Sequence, residues 1–210
     1  MIIDCISDLH GCKPALHGGD LLIVAGDLTG ADMLQEYHNF NDWLMKQNYP
    51  KKIIIAGNHD GFLQREKVSR RYFSVGCYLQ DSMEEYEGLK IWGSPWTPTF
   101  YNWHFMLDRG EAIKAKWDLI PDDIDILVTH GPPWGILDTN RYGEHCGCEE
   151  LRKAVERVKP KLHVFGHIHG GYGQMTLKHN FSDKPDTICI NAAHMDEEYE
   201  PVNKPIRIVL

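Results

Sequence analysis

The sequence has no long hydrophobic run and no feature of a secreted protein. No segment of the 210 residues approaches the roughly 20 apolar residues that span a membrane. The N-terminal stretch MIIDCISDLHG lacks the basic and apolar regions of a signal peptide. Six cysteines are scattered without the spacing of a disulfide framework, which is typical of free thiols in a reducing compartment. We therefore expect a cytoplasmic protein without membrane contact.

Positive charge is also scarce. The chain has 22 Lys and Arg residues against 30 Asp and Glu residues, a formal net charge of −8. Long nucleic acids are bound by basic surfaces, so this balance argues against DNA or RNA as a partner. It does not argue against a small anionic substrate, because bound divalent cations can reverse the local field.

Internal repeats, low-complexity runs and linkers are absent from the sequence as well. Hydrophobic residues make up 42% and charged residues 25% of the chain, which is ordinary for a globular protein. The length fits one hydrophobic core. We therefore expect a single domain over residues 1–210.

Short apolar runs alternate with segments of helical periodicity, which predicts an α/β protein. The predicted strands lie at residues 2–7, 21–25, 52–56, 89–93, 125–129 and 162–165. The predicted helices lie at residues 31–48, 61–71, 111–119 and 148–158. Apolar stretches at 187–191 and 206–210 predict β hairpins that close the sheets. Local sequence alone fits both a two-sheet sandwich and a doubly wound sheet.

Polar side chains follow the apolar strands at five separate places. They are Asp8, His10, Asp27, Asn58, His59, Asp60, His130, His167 and His169. Strand ends meet at one edge of an open α/β sheet, so these residues can converge. Imidazole and carboxylate groups suit Mn, Fe, Zn or Ni better than Ca. Any one of these histidines alone is more often a surface or hydrogen-bonded residue, so the prediction of a metal site depends on their joint order.

These motifs resemble those of the calcineurin-like metallophosphoesterase superfamily. The strings are DLH (8–10), GD (26–27), GNHD (57–60), TH (129–130) and GHIH (166–169). The resemblance implies a two-sheet β-sandwich flanked by helices and two divalent metal ions, with Mn²⁺ favoured and Fe, Ni, Zn or Mg as alternatives. It implies that one metal is held by Asp8, His10, Asp27 and His169. It implies that the other is held by Asp27, Asn58, His130 and His167, with Asp27 as the bridge.

The resemblance also assigns the catalytic side chains. It makes His59 the general acid or transition-state stabiliser, with Asp60 orienting its ring, and places Asn58 and His59 at the substrate. A positioned proton donor accelerates ester cleavage by about 10²- to 10⁴-fold.

Longer strings resemble a narrower branch, the vertebrate brain-type metallophosphoesterases and their bacterial relatives. They are FNDWL (40–44), IAGNHD (55–60), GSPWTP (93–98), DILVTHGPP (125–133) and KPKLHVFGHIHGGYG (159–173). The resemblance implies a metal-dependent phosphodiesterase for a small phosphoester, a cyclic nucleotide with the 2′,3′ form favoured. Two departures stand out: His167 is intact where some members have Gly, and Thr129 replaces a common Gly. The alternatives are a phosphomonoesterase of broad specificity and a catalytically weak nucleotide-binding or scaffold protein.

Several residues outside the motifs allow two interpretations. The group His145, Cys146 and Cys148 lacks the C-x-x-C spacing of zinc or redox sites, so we expect free thiols, with Cys148 facing the substrate pocket as a hypothesis. Aromatic side chains in loops either stack on a nucleobase or pack the loops over the sheet. They are Trp96, Tyr101, Trp103 and Trp134.

Overall fold

The computed structural model describes residues 1–68, 72–180 and 183–210. In these ranges the strands are β1 (Ile2–Ile6), β2 (Leu21–Ala25), β3 (Lys51–Ile55), β4 (Cys77–Tyr78), β5 (Ser82–Tyr86), β6 (Leu89–Ser94), β7 (Thr97–Pro98), β8 (Met106–Leu107), β9 (Ile126–Thr129), β10 (Leu162–Phe165), β11 (Gly173–Leu177), β12 (Thr187–Asn191) and β13 (Ile206–Val209). The helices are α1 (Leu34–Met45), α2 (Gly61–Arg65), α3 (Glu111–Trp117) and α4 (Glu149–Val158), with a short 3₁₀ turn at His169–Gly171. Among these described helices none is long and apolar enough to cross a membrane.

The described strands form two large sheets and one small one. The first sheet has the order β13-β1-β2-β3-β4, and β13 is antiparallel to β1 while the other neighbours are parallel. The second sheet has the order β11-β12-β10-β9-β6-β5, with antiparallel strands β11 and β5 at its edges. Strands β7 and β8 form a separate pair. The predicted two-sheet α/β fold with flanking helices is confirmed.

The two large sheets pack face to face and bury the main core between them. Ile23 and Ile53 of the first sheet share one cluster with Val128 and Val164 of the second. The opposite faces are also covered, since α1 packs on the first sheet and helices α3 and α4 pack on the second. Strands buried on both faces need apolar side chains at every position, which explains continuous runs such as LLIVA at 21–25.

The helix boundaries differ from the predicted ones at identifiable residues. Helix α1 begins at Leu34, because the Glu36 carboxylate accepts hydrogen bonds from the backbone N–H groups of Gly30, Ala31 and Met33 and holds the preceding residues in a loop. Helix α2 ends at Arg65, well before the predicted limit, and residues 69–71 of that prediction lie outside the described residues.

The tail strands do not form a hairpin with each other. Strand β12 pairs with β11 and β10 in the second sheet, whereas β13 pairs with β1 in the first. The predicted strands are therefore present. Strand β13 closes the first sheet as its edge strand, whereas β12 lies inside the second sheet between β11 and β10.

The closing strand β13 is held to β1 by an ion pair between the exposed Arg207 side chain and the buried Asp4 carboxylate. The Asp4 carboxylate accepts hydrogen bonds from Arg207 Nε at 2.8 Å and from Arg207 Nη2 at 2.7 Å, and a further one from the Tyr49 hydroxyl. Only 3% of Asp4 is exposed. Burial favours the neutral acid, but Arg207 and Tyr49 hold the pKa of Asp4 below its ordinary value.

We predict that Asp4→Asn lowers the free energy of unfolding by about 1 to 3 kcal/mol at pH 7. Because the folded-state pKa of Asp4 is lowered, its contribution is present at neutral pH and is lost as the pH falls below about 4. Urea unfolding at several pH values should show the variant and the parent converging in acid. Asp118→Asn, which removes only an exposed ion pair with Lys114, is the control and should differ little from the parent. A pH-independent difference for Asp4→Asn would contradict the assignment.

Candidate metal centre

Residues that follow the strands of both sheets meet at one place. Asp8 lies beyond β1, Asp27 beyond β2 and His130 beyond β9, and their ligand atoms all lie within 4.8 Å of one another. Two overlapping groups have the same spacing: Asp8, His10 and His169, and His10, Asp27 and His59. The convergence expected from the strand ends is therefore present.

The backbone at these positions is strained and closely packed. Asp8, His10, Asp27 and His167 have φ values of 52°, 42°, 51° and 67°, in the left-handed region that costs energy for residues with a Cβ atom. A Cβ atom at Gly57 would overlap the Asp27 carboxylate, and one at Gly166 would overlap that of Asp8. The glycines of the GNHD and GHIH motifs thus leave room for the two carboxylates.

Asp8 forms one side of the cluster. It is fully buried, and its two oxygens accept hydrogen bonds from the His167 N–H at 3.0 and 2.9 Å. His169 Nε2 lies 3.5 Å from Asp8 Oδ1, while His169 Nδ1 donates to the Asp196 carbonyl at 2.8 Å. Burial would raise the pKa of Asp8, but its contacts with His169 lower it to about 2. Asp8 is therefore ionised and could act as a metal ligand.

Asp27 lies at the centre of the cluster. Its Oδ1 accepts a hydrogen bond from the His59 N–H at 2.8 Å. Its Oδ2 lies 3.4 Å from His130 Nε2 and 3.7 Å from His10 Nε2. Burial opposes ionisation, but His130 and the neighbouring imidazoles hold the pKa of Asp27 well below its ordinary value. Its bridging role stays a prediction.

His130 is held by two contacts. Its Nδ1 donates to the Ala25 carbonyl at 2.9 Å, and its Nε2 lies 2.9 Å from Asn58 Oδ1. Burial favours the neutral ring, but the Asp27 carboxylate raises the pKa of His130 to about 9.

The donor set fits divalent transition metals. Among the described residues, His10 Nε2 is a buried nitrogen without a hydrogen-bond partner, and such groups are rare unless they bind something. Burial lowers the pKa of His10 and lowers that of His167 to about 3, so both rings are neutral. Neutral imidazoles beside ionised carboxylates are what Mn, Fe, Ni and Zn bind.

His59 stands beside this cluster with a fixed ring. Its Nδ1 donates a hydrogen bond to the Gly30 carbonyl at 3.0 Å, so this contact does not use Nε2. Trp103 stacks on the ring with centroids 4.4 Å apart, and His10 contacts it edge-on at 4.5 Å. The ring lines a cavity of about 890 Å³ together with Asp27, Asn58, His167 and His169.

The prediction that Asp60 orients the His59 ring is wrong. The Gly30 carbonyl does so, while the fully buried Asp60 carboxylate binds the backbone of the neighbouring loops. It accepts hydrogen bonds from the N–H groups of Leu28, Thr29 and Gly57 and from the Thr29 hydroxyl. Burial and the nearby Asp27 raise the pKa of Asp60 to about 7. Asp60 is therefore a positioning residue for the loops after β2 and β3.

The hypothesis that Cys148 faces the substrate is also wrong. Cys148 is 1% exposed, and its Sγ caps α4 by accepting a hydrogen bond from the Leu151 N–H at 3.4 Å. His145 and Cys146 line the cavity instead. The described cysteines form no disulfide bonds with one another.

The loop aromatics divide between the two interpretations. Tyr101, Trp103 and Trp134 line the cavity, whereas Trp96 packs on Phe105 and donates its Nε1–H to Asp81. Tyr199 was not predicted: its ring lies 5.1 Å from the His10 ring and 5.0 Å from the His169 ring. It sits in an acidic loop, DEEYE, where no local pattern marks it.

Comparisons with known proteins agree with this geometry. Residues 1–171 match the family model described as calcineurin-like phosphoesterase. The chain belongs to this family. It is 42% identical to human metallophosphoesterase domain-containing protein 1 over 98% of this chain and 70% of that protein. It is 37% identical to UPF0046 protein T07D4.2 of Caenorhabditis elegans over 96% of this chain and 58% of that protein.

More distant matches agree as well. The chain is 23% identical to the probable cyclic nucleotide phosphodiesterase syc0937_d of Synechococcus over 83% of this chain and 71% of that protein. The solved structure of TT1561 of Thermus thermophilus superposes with a TM-score of 0.59 at 16% identity, over 90% of this chain and 88% of that one. This likeness supports the fold alone.

We predict that Mn²⁺ stabilises the metal-free protein. At about 100 times its Kd, a metal raises the free energy of unfolding by about 2.7 kcal/mol, or about 5 to 10 °C in Tm. Thermal unfolding with and without Mn²⁺ should show this increase for the parent and for Asp118→Asn. Asp27→Asn should lose it, because the carboxylate common to two ligand groups is gone. An unchanged Mn²⁺ effect in Asp27→Asn would contradict the site.

Proposed function

We propose that this protein is a dinuclear metal-dependent phosphodiesterase for a small phosphodiester, a cyclic nucleotide with the 2′,3′ form favoured. Membership of the calcineurin-like phosphoesterase family makes it a phosphoester hydrolase in the broad sense. The observation that carries the narrower proposal is the buried Asp and His cluster beside a ring-fixed His59 in one cavity.

The residues divide between two metal ions. Asp8, His10, Asp27 and His169 would hold one, and Asp27, Asn58, His130 and His167 would hold the other. Bound divalent metals, with Mn²⁺ favoured, would supply positive charge to the phosphoryl oxygens and a lowered pKa for water. The unpartnered His10 Nε2 and the intact His167 support a complete ligand set.

His59 would deliver the proton that the leaving group needs. In hydrolysis a water oxygen bonds to phosphorus, the P–O bond to the ribose breaks, and the departing ribose oxygen takes up a proton. Because Nδ1 keeps its hydrogen on the Gly30 carbonyl, Nε2 can donate that proton only from the doubly protonated ring. The Gly30 carbonyl and Trp103 hold this ring in place, so the donation needs no reorganisation. The expected contribution is about 10²- to 10⁴-fold in rate.

The cavity supports a small substrate with an aromatic part. Its volume is about 890 Å³, within the range of small-molecule sites. Phe100, Tyr101, Trp103 and Trp134 supply ring surfaces in its wall. The name of the Synechococcus relative, a probable cyclic nucleotide phosphodiesterase, points to the same substrate class.

A substrate and metal panel tests the proposal. Protein loaded with Mn²⁺, Mg²⁺, Ni²⁺ or Zn²⁺ would be assayed on 2′,3′- and 3′,5′-cyclic nucleotides, an aryl diester and an aryl monoester. We expect the highest kcat/KM on the 2′,3′-cyclic nucleotide with Mn²⁺. Preference for the monoester would favour a phosphomonoesterase of broad specificity. Metal-loaded protein without turnover would favour a nucleotide-binding or scaffold role.

We predict that His59→Ala slows cyclic nucleotide hydrolysis by about 10²-fold or more while the bound metal is retained. The ring nitrogen that donates the proton is removed, but the carboxylates remain. Metal analysis and kinetics on the same sample separate the two effects. His38→Ala, at an exposed site on α1, is the control. Full activity of His59→Ala on an unactivated diester would contradict its role as acid.

A further inference from the structure

A second imidazole lines the cavity away from the predicted metal ligands. His145 Nδ1 lies 2.7 Å from Asp138 Oδ1, and Asp138 is 1% exposed. The other carboxylate oxygen of Asp138 accepts hydrogen bonds from the N–H groups of Gly135 at 2.9 Å and Gly147 at 3.1 Å. A buried carboxylate with this many donors holds the imidazole of His145 in one orientation.

The hydrogen bond to Asp138 assigns the two ring nitrogens of His145. The carboxylate can only accept, so Nδ1 carries the donated hydrogen and Nε2 is an acceptor when the ring is neutral. Within the described part of the chain, Nε2 of His145 makes no hydrogen bond. The side chain is 48% exposed and lines the cavity. An oriented acceptor is thus available to a bound molecule.

The indole ring of Trp134 lies next to the imidazole of His145. The ring of Trp134 lies 5.4 Å from that of His145 at an interplanar angle of 44°, and 39% of Trp134 is exposed. The loop that carries His145 is held by Arg109, which donates hydrogen bonds to the carbonyls of Cys146 and Gly147. The two rings therefore offer a fixed aromatic face and a fixed ring edge.

Charge separates this part of the cavity from the metal cluster. Acidic Glu144 lines the cavity next to His145, and buried Asp138 lies behind the ring. Arg109 is paired with Glu149, so its charge is already matched. These carboxyl groups disfavour a phosphate, whereas a neutral heterocycle with N–H donors suits the Nε2 acceptor and the indole face.

We propose that His145 and Trp134 form the binding site for the base of a nucleotide, with Asp138 as the positioning residue of His145. This inference rests on the proposed function for the identity of the ligand as a nucleotide. The phosphate end would lie at the Asp and His cluster, and the base at the His145 and Trp134 pair.

Binding to metal-loaded protein tests the base site directly. Isothermal titration would compare a nucleoside monophosphate with inorganic phosphate, which has no base. We expect His145→Ala to weaken nucleoside monophosphate binding about tenfold and Trp134→Ala to weaken it by a similar factor. Phosphate affinity should be unchanged. Tyr142→Ala, 80% exposed on the same loop, is the matched control and should bind both ligands like the parent.

The kinetics of the same variants test the base site a second time. His145→Ala should raise KM for the cyclic nucleotide and leave kcat near the parent value, since it removes binding that ground and transition states share. Asp138→Asn should likewise raise KM and leave kcat near the parent value. Equal weakening of both ligands, or unchanged nucleotide binding, would overturn the base site. Nucleotide-selective binding in a protein that hydrolyses no phosphodiester would instead refute the proposed function alone.

Discussion

Two carboxylates, Asp8 and Asp27, are buried within 4.8 Å of the same imidazole of His130. An ionised carboxylate in a protein interior is stable only when hydrogen bonds and positive charge compensate for lost hydration. Here backbone N–H groups and surrounding histidines supply that compensation. The ends of the strands in both sheets must therefore meet at this point, and glycines must leave space there.

The histidines around the carboxylates are oriented by a repeated contact. In each case Nδ1 donates to a backbone carbonyl and Nε2 is left for the cluster or the cavity; the residues are His59, His130 and His169. Such partners fix the tautomer of a ligand and increase its basicity. The scaffold thus prepares the site through main-chain atoms, so that its geometry depends on the strand ends rather than on mobile side chains.

Much of the fold and cluster could be predicted because buried parallel strands have continuous apolar sequences. Each run, such as KIIIA before GNHD, ends where its polar residues enter the site. Edge strands β5 and β11 were missed, because their half-exposed residues break the apolar pattern. The contacts of Asp60 and the burial of Cys148 depend on which backbone groups surround them, and no spacing encodes that. The pairing of Asp138 with His145 likewise requires the folded loop.

Two metals on the Asp and His cluster are proposed to support phosphodiester hydrolysis. The most direct test of this proposal is to titrate Mn²⁺ into metal-free protein while recording bound metal and the rate of 2′,3′-cyclic nucleotide hydrolysis in the same sample. We expect negligible activity without metal and a rate that reaches its maximum at two bound ions per chain. Hydrolysis independent of metal, or a fully loaded protein without hydrolysis, would contradict it.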